Sequence, residues 1–327
     1  MIWLYNANIY TQNPKQPVVS DLITQNGRVL FAGSHQEAAQ DASNVKEKID
    51  LKGKTVLPGL CDAHMHLEYY ALFLQRVDCE TDTLAACLQR VNERAQKLPQ
   101  NAWVMGHGWN QNIWGGQFGT AQQLDQAAGG RPVCLTAKSY HAMWVSSAAL
   151  KLAGITRHTP DPEGGKIGRD ANGDPDGNLF ETAMELIKPV MPQQTVAEST
   201  QAIYEAQTAL WKMGITAVHD YDRSTSFGAL QELDKQNRLR LRVNKSIPLE
   251  NMEAAIQVGL RTGFGSNYLK VGSIKMFADG ALGPQTAAMF EPYENSSTTQ
   301  TGILMMDSET LFEHGQKAVS GGFSMAI

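Results

Sequence analysis

The chain has 327 residues, of which 42% are hydrophobic and 19% charged, and a formal net charge of −5 at pH 7. This composition is typical of a globular chain with one large α/β domain and a smaller one. The acidic balance argues against nucleic acid as a partner, and no apolar stretch of the sequence approaches the ~20 residues of a membrane span.

Cysteine usage and the N-terminus indicate the compartment. The first eight residues lack the positive start and apolar core of a signal peptide. Cys61, Cys79, Cys87 and Cys134 show neither metal-binding spacing nor the pattern of a disulfide framework. We therefore expect reduced thiols and a cytoplasmic protein. The sequence leaves the oligomeric state open, and a homo-oligomer is compatible with it.

Residues 1–56 predict short strands joined by turns. Two apolar runs, residues 21–24 and 28–32, flank Asn26-Gly27, and an Asn-Gly pair in that position is a strong hairpin signal. We predict that residues 1–56 form part of a small first domain and that residues 57–327 form the second.

The first motif with chemical meaning begins at Pro58-Gly59 and ends on His64 and His66, which are one residue apart. Alternate side chains of a strand point the same way, so both imidazoles can project from one strand end. Two converging imidazoles suit a divalent, zinc-like ion. The alternative interpretation is that the two histidines pack or lie on the surface.

Apolar residues recur at helical spacing in five segments, which we predict to be helices: residues 83–98, 195–213, 226–236, 250–258 and 309–320. Thr83 is a suitable N-cap for the first of these helices, and Gly214 ends the second. β-type runs lie at residues 215–218, 239–243, 271–277 and 323–327. Alternating strands and helices predict a parallel sheet.

Together with a first strand at residues 56–62, these runs favour a (β/α)8-type TIM barrel, an α/β fold. Residues 68–194 are then a long elaboration between strands one and two. An alternative count places residues 103–105 in the barrel. Neither count reaches eight strands, so we expect an incomplete barrel from a longer protein, inactive and poorly stable alone; a natural short protein is the alternative.

Four further side chains are candidates for substrate binding. His141 lines a pocket or packs, and Trp109 forms a pocket wall or part of the core. His219 lies at a strand's C-terminal end, where barrel active sites lie, although a structural role is open to it. Asp279 follows the strand at residues 271–277. For His107 packing is favoured, and residues 161–177 predict a solvated hairpin or loop.

Pro58 to His66 resembles the signature of the amidohydrolase superfamily, Pro-Gly-x-x-Asp-x-His-x-His. Later segments are similar to its YtcJ-like (amidohydrolase 3) branch, in the same order along the chain: residues 106–111, 124–125, 131–135, 140–142, 147–150, 177–181, 214–220, 275–280 and 283–288. The chain departs from the branch pattern at Asn110, where aspartate is usual, at Ser146, which replaces asparagine, and at Gln285, which replaces arginine. The last departure puts an anion-binding role for that loop in doubt.

The resemblance implies a TIM barrel with a small N-terminal β-sandwich. It also implies a metal-dependent hydrolase that cleaves C–N bonds of a small-molecule substrate, amide-type rather than peptide, through a metal-activated water. His64 and His66 would hold one or two divalent ions such as zinc. Lys275 would add carbon dioxide as a carbamate and complete the metal site, and Asp279 would orient substrate or loop backbone.

Carbamate formation at Lys275 is chemically reasonable, because a desolvated lysine has a lowered pKa and its neutral amine can react with carbon dioxide. The alternative is that Lys275 reaches the sheet rim or pairs with Asp279. In the superfamily the general-base aspartate and further histidine ligands come later, so the base is expected beyond Ile327 and is unknown here. Two rival functions stay open: a metal-dependent deaminase on the same barrel, and a non-catalytic, truncated or regulatory member.

Overall fold

The computed structural model describes residues 1–41, 45–282, 286–294 and 301–327. Its strands are β1 (Ile2–Tyr5), β2 (Asn8–Tyr10), β3 (Val18–Val19), β4 (Asp21–Gln25), β5 (Arg28–Gly33), β6 (Glu47–Asp50), β7 (Thr55–Val56), β8 (Leu60–Met65), β9 (Val77–Asp78), β10 (Val104–Trp109), β11 (Val133–Ala137), β12 (Ala142–Val145), β13 (Gly165–Arg169), β14 (Pro175–Glu181), β15 (Ile215–Asp220), β16 (Arg242–Pro248), β17 (Leu269–Lys275) and β18 (Met325–Ala326). Its α-helices are α1 (His35–Asp41), α2 (Leu67–Gln75), α3 (Leu84–Ala95), α4 (Ala121–Ala128), α5 (Ser147–Leu152), α6 (Val196–Lys212), α7 (Ser224–Lys235), α8 (Met252–Gln257) and α9 (Ser308–Ser320).

The chain divides into two compact units. The first consists of Met1–Met65, Gln207–Tyr221 and Arg240–Ile327, and the second of His66–Ala206 and Asp222–Leu239. The predicted domain boundary after residue 56 falls within the first unit, and it stays a prediction.

A five-stranded parallel sheet runs through the first unit in the order β8-β15-β16-β17-β18. The parallel sheet predicted from the alternating strands and helices is therefore confirmed, with its first strand beginning at Leu60 and its third at Arg242. The alternative count is wrong, because β10 pairs with β9 and β11 in a different sheet. Closure into a barrel stays a prediction.

The glycine of the Pro58-Gly59 pair is explained by close packing just before β8. A Cβ added at Gly59 would lie 2.1 Å from Thr216 Oγ1 on β15, a separation that real atoms do not adopt. Next to it, the Leu60 N–H donates to the Gly214 carbonyl at 2.9 Å. This glycine lets the first two parallel strands approach each other.

The N-terminal residues of the first unit form two small sheets, ordered β5-β4-β1-β6 and β3-β2-β7. The predicted Asn26-Gly27 hairpin is confirmed: Gln25 pairs with Arg28, and the two turn residues have φ values of 52° and 75°. A turn with both central residues at positive φ matches the twist of the flanking strands. Whether the two sheets form the predicted β-sandwich stays a prediction.

The second unit contains most of the predicted elaboration and has a sheet of its own. Six strands lie in the order β13-β14-β12-β11-β10-β9, with β9, β10 and β11 parallel and the other pairs antiparallel. Its core includes Trp109, Trp144 and Leu135, each at most 1% exposed. Strands β13 and β14 form the hairpin expected within residues 161–177.

The predicted helices appear as α3, α6, α7, α8 and α9, with bounds within a few residues of those expected. Thr83 caps α3, since its side chain accepts a hydrogen bond from the Ala86 N–H at 3.1 Å. In the described ranges, no helix combines the length and the apolar character needed to cross a membrane.

Candidate functional site

The Tyr221 ring contacts two of the predicted metal ligands in the first unit. Tyr221 directly follows β15, and its ring centroid lies 4.5 Å from that of His64 on β8. The Lys275 Nζ, at the end of β17, lies 5.4 Å from the same ring. His64 and Lys275, which are 211 positions apart in the sequence, therefore both lie against one side chain.

The Lys275 ammonium lies near two aromatic rings. Its Nζ lies 4.7 Å from the Phe277 ring centroid as well as near Tyr221. Burial lowers the pKa of Lys275, because the charged ammonium is less well solvated there than in water. A lowered pKa increases the fraction of neutral amine at neutral pH, which is the form that reacts with carbon dioxide.

A buried ion pair joins the two strands next to this group. Lys245 Nζ on β16 lies 3.1 Å from Asp220 Oδ2 on β15, and the two side chains are 2% and 0% exposed. The Tyr221 N–H donates to the Met65 carbonyl at 2.9 Å, so the ends of β15 and β8 are joined there. Sequence reasoning missed this pair, because the predicted β-type run ends at residue 243, before Lys245.

His66 belongs to the second unit and stands one residue before α2, beyond the end of β8 at Met65. Its Nδ1 lies 3.0 Å from Asp222 Oδ1. The other carboxylate oxygen of Asp222 accepts the Glu68 N–H at 2.6 Å. Asp222 thus orients the imidazole and also accepts a backbone N–H from the first turn of α2. Sequence reasoning missed Asp222; the only signal was its place just after a strand end.

His141, a predicted substrate ligand, is exposed at the start of β12 in the second unit. Its Nδ1 lies 2.9 Å from Glu181 Oε2. Tyr140 and Glu181 have positive φ values of 63° and 50°, which are uncommon for residues other than glycine. The contact of the Glu181 carboxylate with Nδ1 orients the His141 ring.

Trp109 and His107, two positions apart on β10 in the second unit, both pack against other side chains. Trp109 is 1% exposed and its Nε1 donates to the Leu135 carbonyl at 2.8 Å, so it occupies the core, one of the two positions expected for it. His107 stacks on Phe73 with a centroid distance of 3.7 Å, in agreement with its predicted packing role. Burial lowers the pKa of His107.

The remaining predicted residues lie in the first unit. His219 lines a cavity of about 300 Å³ together with Cys61 and Asn244. Asp279 accepts the Ala288 N–H at 2.8 Å, which is the loop-backbone role expected for it. In the motif at residues 283–288, Gly283, Pro284 and Gln285 lie outside the described residues.

The donor chemistry of the predicted ligands fits a zinc-like ion, because imidazole nitrogen and carbamate oxygen are both typical ligands of such ions. A carboxylate on the second ring nitrogen, as Asp222 provides for His66, is also usual at metal-bound histidines. Across the described ranges, no three His, Cys, Asp or Glu side chains form a metal-binding group by themselves.

Comparison with known proteins agrees with these features. The model of the "Amidohydrolase family" matches residues 47–327. The "Putative amidohydrolase YtcJ" of Bacillus subtilis is 32% identical over 335 residues, covering all of this chain and 62% of the relative. The "N-substituted formamide deformylase" of Arthrobacter pascens is 35% identical over 190 residues, which is 57% of this chain and 35% of the relative.

Among solved structures, an uncharacterized metal-dependent hydrolase from Pyrococcus furiosus superposes with a TM-score of 0.79 at 28% identity, over 99% of this chain and 66% of that chain. This chain thus spans about three fifths of the length of the B. subtilis relative. The likeness agrees with a mixed α/β fold built on a partly curled parallel sheet. The match over residues 47–327 shows that the chain belongs to the amidohydrolase family, in its YtcJ-like branch.

Proposed function

We propose that this chain carries part of the active site of a metal-dependent hydrolase, which cleaves amide-type C–N bonds of a small molecule rather than peptide bonds. The observation that carries the proposal is that His64 and Lys275 lie against the same ring, Tyr221. Barrel enzymes place their catalytic groups at the C-terminal ends of the strands, and these residues lie at or just beyond such ends.

His64, His66 and Lys275 are the proposed ligands of one or two divalent ions such as zinc. The chemistry that a bound ion supplies is Lewis acidity, which activates water as a nucleophile and polarises the scissile carbonyl. Asp222 holds the His66 ring in one orientation, and Tyr221 limits the movement of the His64 ring and the Lys275 side chain.

Lys275 contributes its neutral amine. The nitrogen lone pair forms a bond to the carbon of carbon dioxide, one proton leaves to solvent, and the product is a carbamate anion with two oxygens. The lowered pKa of Lys275 favours this step, because the amine must first be free of its proton. Oxygen donors of this kind suit divalent ions.

The substrate class is inferred from a relative. The deformylase from A. pascens carries an N-substituted formamide in its name, and such a compound has an amide C–N bond. We extend that class of bond to this chain, with His141 and His219 as residues that contact substrate. We also propose a cytoplasmic location, which the four free cysteines support.

The test measures bound metal and hydrolysis in a longer form of the protein that contains this chain and the remaining active-site groups, and in its His64→Ala and His66→Ala variants. Metal is quantified by mass spectrometry, and hydrolysis is followed with a panel of N-substituted formamides. We expect both variants to lose metal and turnover. His158→Ala is the matched control, because His158 is exposed and lies outside the proposed site. Unchanged metal content in both site variants would contradict the proposal.

A further inference from the structure

The N-terminal end of the parallel sheet carries a basic cavity of about 280 Å³ that the proposed function does not use. Three cationic side chains line it: Arg28 from the β4–β5 hairpin, Arg242 at the start of β16, and Lys270 near the start of β17. Among the residues that the structure describes, no acidic side chain lines this cavity. This cavity is locally positive, although the chain as a whole has a net charge of −5.

The guanidinium of Arg242 is held in place by neutral groups. Its Nη1 donates to the Asn267 carbonyl at 3.2 Å, and its Nη2 donates to the Gly27 carbonyl at 3.1 Å. The guanidinium carbon lies 5.5 Å from the Tyr268 ring centroid. Carbonyls and a ring orient the group without neutralising its charge, and a guanidinium has five N–H donors in all. Arg242 is therefore preorganised for an oxyanion.

Lys270 and Arg28 add charge without a carboxylate partner. In the described part of the chain, neither they nor Arg242 lie within ion-pair distance of an acidic side chain. Asn26 and Asn267 line the same cavity and add amide groups. Three cations suit a group with two negative charges and three oxygens better than a carboxylate with one charge and two oxygens.

A second cavity of about 300 Å³ shares Arg242, Tyr268 and Lys270 with the first. Ala217, Val218 and Val243 provide its apolar wall. An uncharged body attached to the anion would have space there. Neither cavity is lined by His64, Tyr221 or Lys275, and Lys270 lies roughly 16 Å along β17 from Lys275 at ~3.3 Å per residue.

We propose that Arg28, Arg242 and Lys270 form a binding site for a small organic phosphate monoester, with its phosphate in the basic cavity and its body along the apolar wall. The basic cavity lies at the opposite end of the sheet from His64 and Lys275. The second cavity is also lined by His219, a proposed substrate contact, so the body of the monoester would share that one residue with the proposed function. Calorimetry measures phosphate binding without any hydrolysis.

The experiment titrates the whole 327-residue chain with inorganic phosphate, phenyl phosphate and benzoate by calorimetry at constant ionic strength. We expect phenyl phosphate to bind more tightly than inorganic phosphate, and both to bind more tightly than benzoate. Arg242→Gln and Lys270→Gln should each weaken phenyl phosphate binding by about tenfold, the equivalent of one charge-assisted hydrogen bond. Lys97→Gln, at an exposed lysine elsewhere, should change binding less than about twofold.

Lys270→Gln keeps the test valid if Arg242→Gln unfolds, because the Lys270 ammonium makes no side-chain hydrogen bond within the described residues, whereas Arg242 holds the hairpin turn. Circular dichroism of each variant verifies folding. Three results would overturn the proposal: no heat with either phosphate compound, equal binding of benzoate and phenyl phosphate, or a folded Lys270→Gln protein that binds phenyl phosphate as the parent does.

Discussion

The two ends of the five-stranded parallel sheet place lysine in opposite surroundings. At the C-terminal ends, Lys275 lies against Tyr221 and Phe277, and Lys245 is buried in an ion pair with Asp220. At the N-terminal ends, Lys270 is exposed beside Arg242 and a cavity that no acidic side chain lines among the described residues. Lys270 and Lys275 share one strand, so the chemistry of each amine is determined by its neighbours across the sheet.

The largest expected effect concerns carbamate formation. With ¹³C-labelled bicarbonate, the protein should show one lysine carbamate signal by NMR, and Lys275→Arg should abolish it. Because the pKa of Lys275 is lowered, its neutral fraction should rise with pH before that of a free lysine side chain, whose pKa is ~10.4. The carbamate signal should therefore appear at a lower pH than in a lysine peptide.

Lys270→Arg is the matched control for that experiment, since it changes the amine at the other end of β17. The signal should persist in this variant. Loss of the signal in Lys270→Arg, or its persistence in Lys275→Arg, would mean that the two ends of the strand do not differ as described. Retained hydrolysis in Lys275→Ala would favour a deaminase-type site.

The buried ion pair predicts the next largest effect. Lys245→Ala removes the buried ammonium that pairs with the Asp220 carboxylate, which should lower the free energy of unfolding by about 3–5 kcal/mol. Lys270→Ala removes an exposed lysine and should change it by at most about 0.5 kcal/mol. Urea unfolding followed by circular dichroism measures both, and similar values for the two variants would contradict the comparison.

Asp222→Asn tests the carboxylate two residues beyond the end of β15. The substitution weakens the contact with His66 Nδ1 and one acceptor for the first turn of α2. Zinc affinity should fall about 10–100-fold, the usual effect of removing a carboxylate that orients a metal-bound histidine. A competition titration with a chelating dye measures it. Glu232→Gln, at a helical carboxylate elsewhere, is the control, and equal affinities in the two variants would argue against His66 as a ligand.

The smallest effect is expected at the hairpin beside the basic cavity. Gly27 has a φ of 75°, and a Cβ there would approach Arg242 Nη2 only to 3.6 Å, an ordinary contact. Gly27→Ala should therefore cost about 1–2 kcal/mol of unfolding free energy through backbone strain alone. Thermal or urea unfolding measures it, and Gly173→Ala, at another turn glycine with positive φ, should cost about as much. A much larger loss of unfolding free energy at Gly27 would mean that the hairpin stabilises more of the protein than its own turn.

Local signals in the sequence predicted much of the fold. The Asn26-Gly27 pair, the Thr83 N-cap and the alternating strands and helices each depend on neighbouring residues, and each is confirmed. The six-stranded sheet of the second unit was not predicted, because strands such as β9 and β12 have two and four residues and pair with distant partners.

The candidate site was only partly predictable for the same reason. His64 and His66 stand in a contiguous motif, and Lys275 was found through its resemblance to the family. Tyr221, Asp222 and the pairing of Lys245 with Asp220 depend on which strand ends adjoin in the folded chain. Single charged or aromatic residues near strand ends are common, so sequence alone does not distinguish these.

The contact between Gly59 and Thr216 has an evolutionary consequence. No side chain larger than hydrogen fits at residue 59 while threonine occupies residue 216. Alanine at residue 59 becomes acceptable only if residue 216 loses its branched side chain, for example as glycine. The two positions should therefore covary among relatives of this chain, and Gly59→Ala should be rescued by Thr216→Gly, although neither residue takes part in the chemistry of the neighbouring histidines.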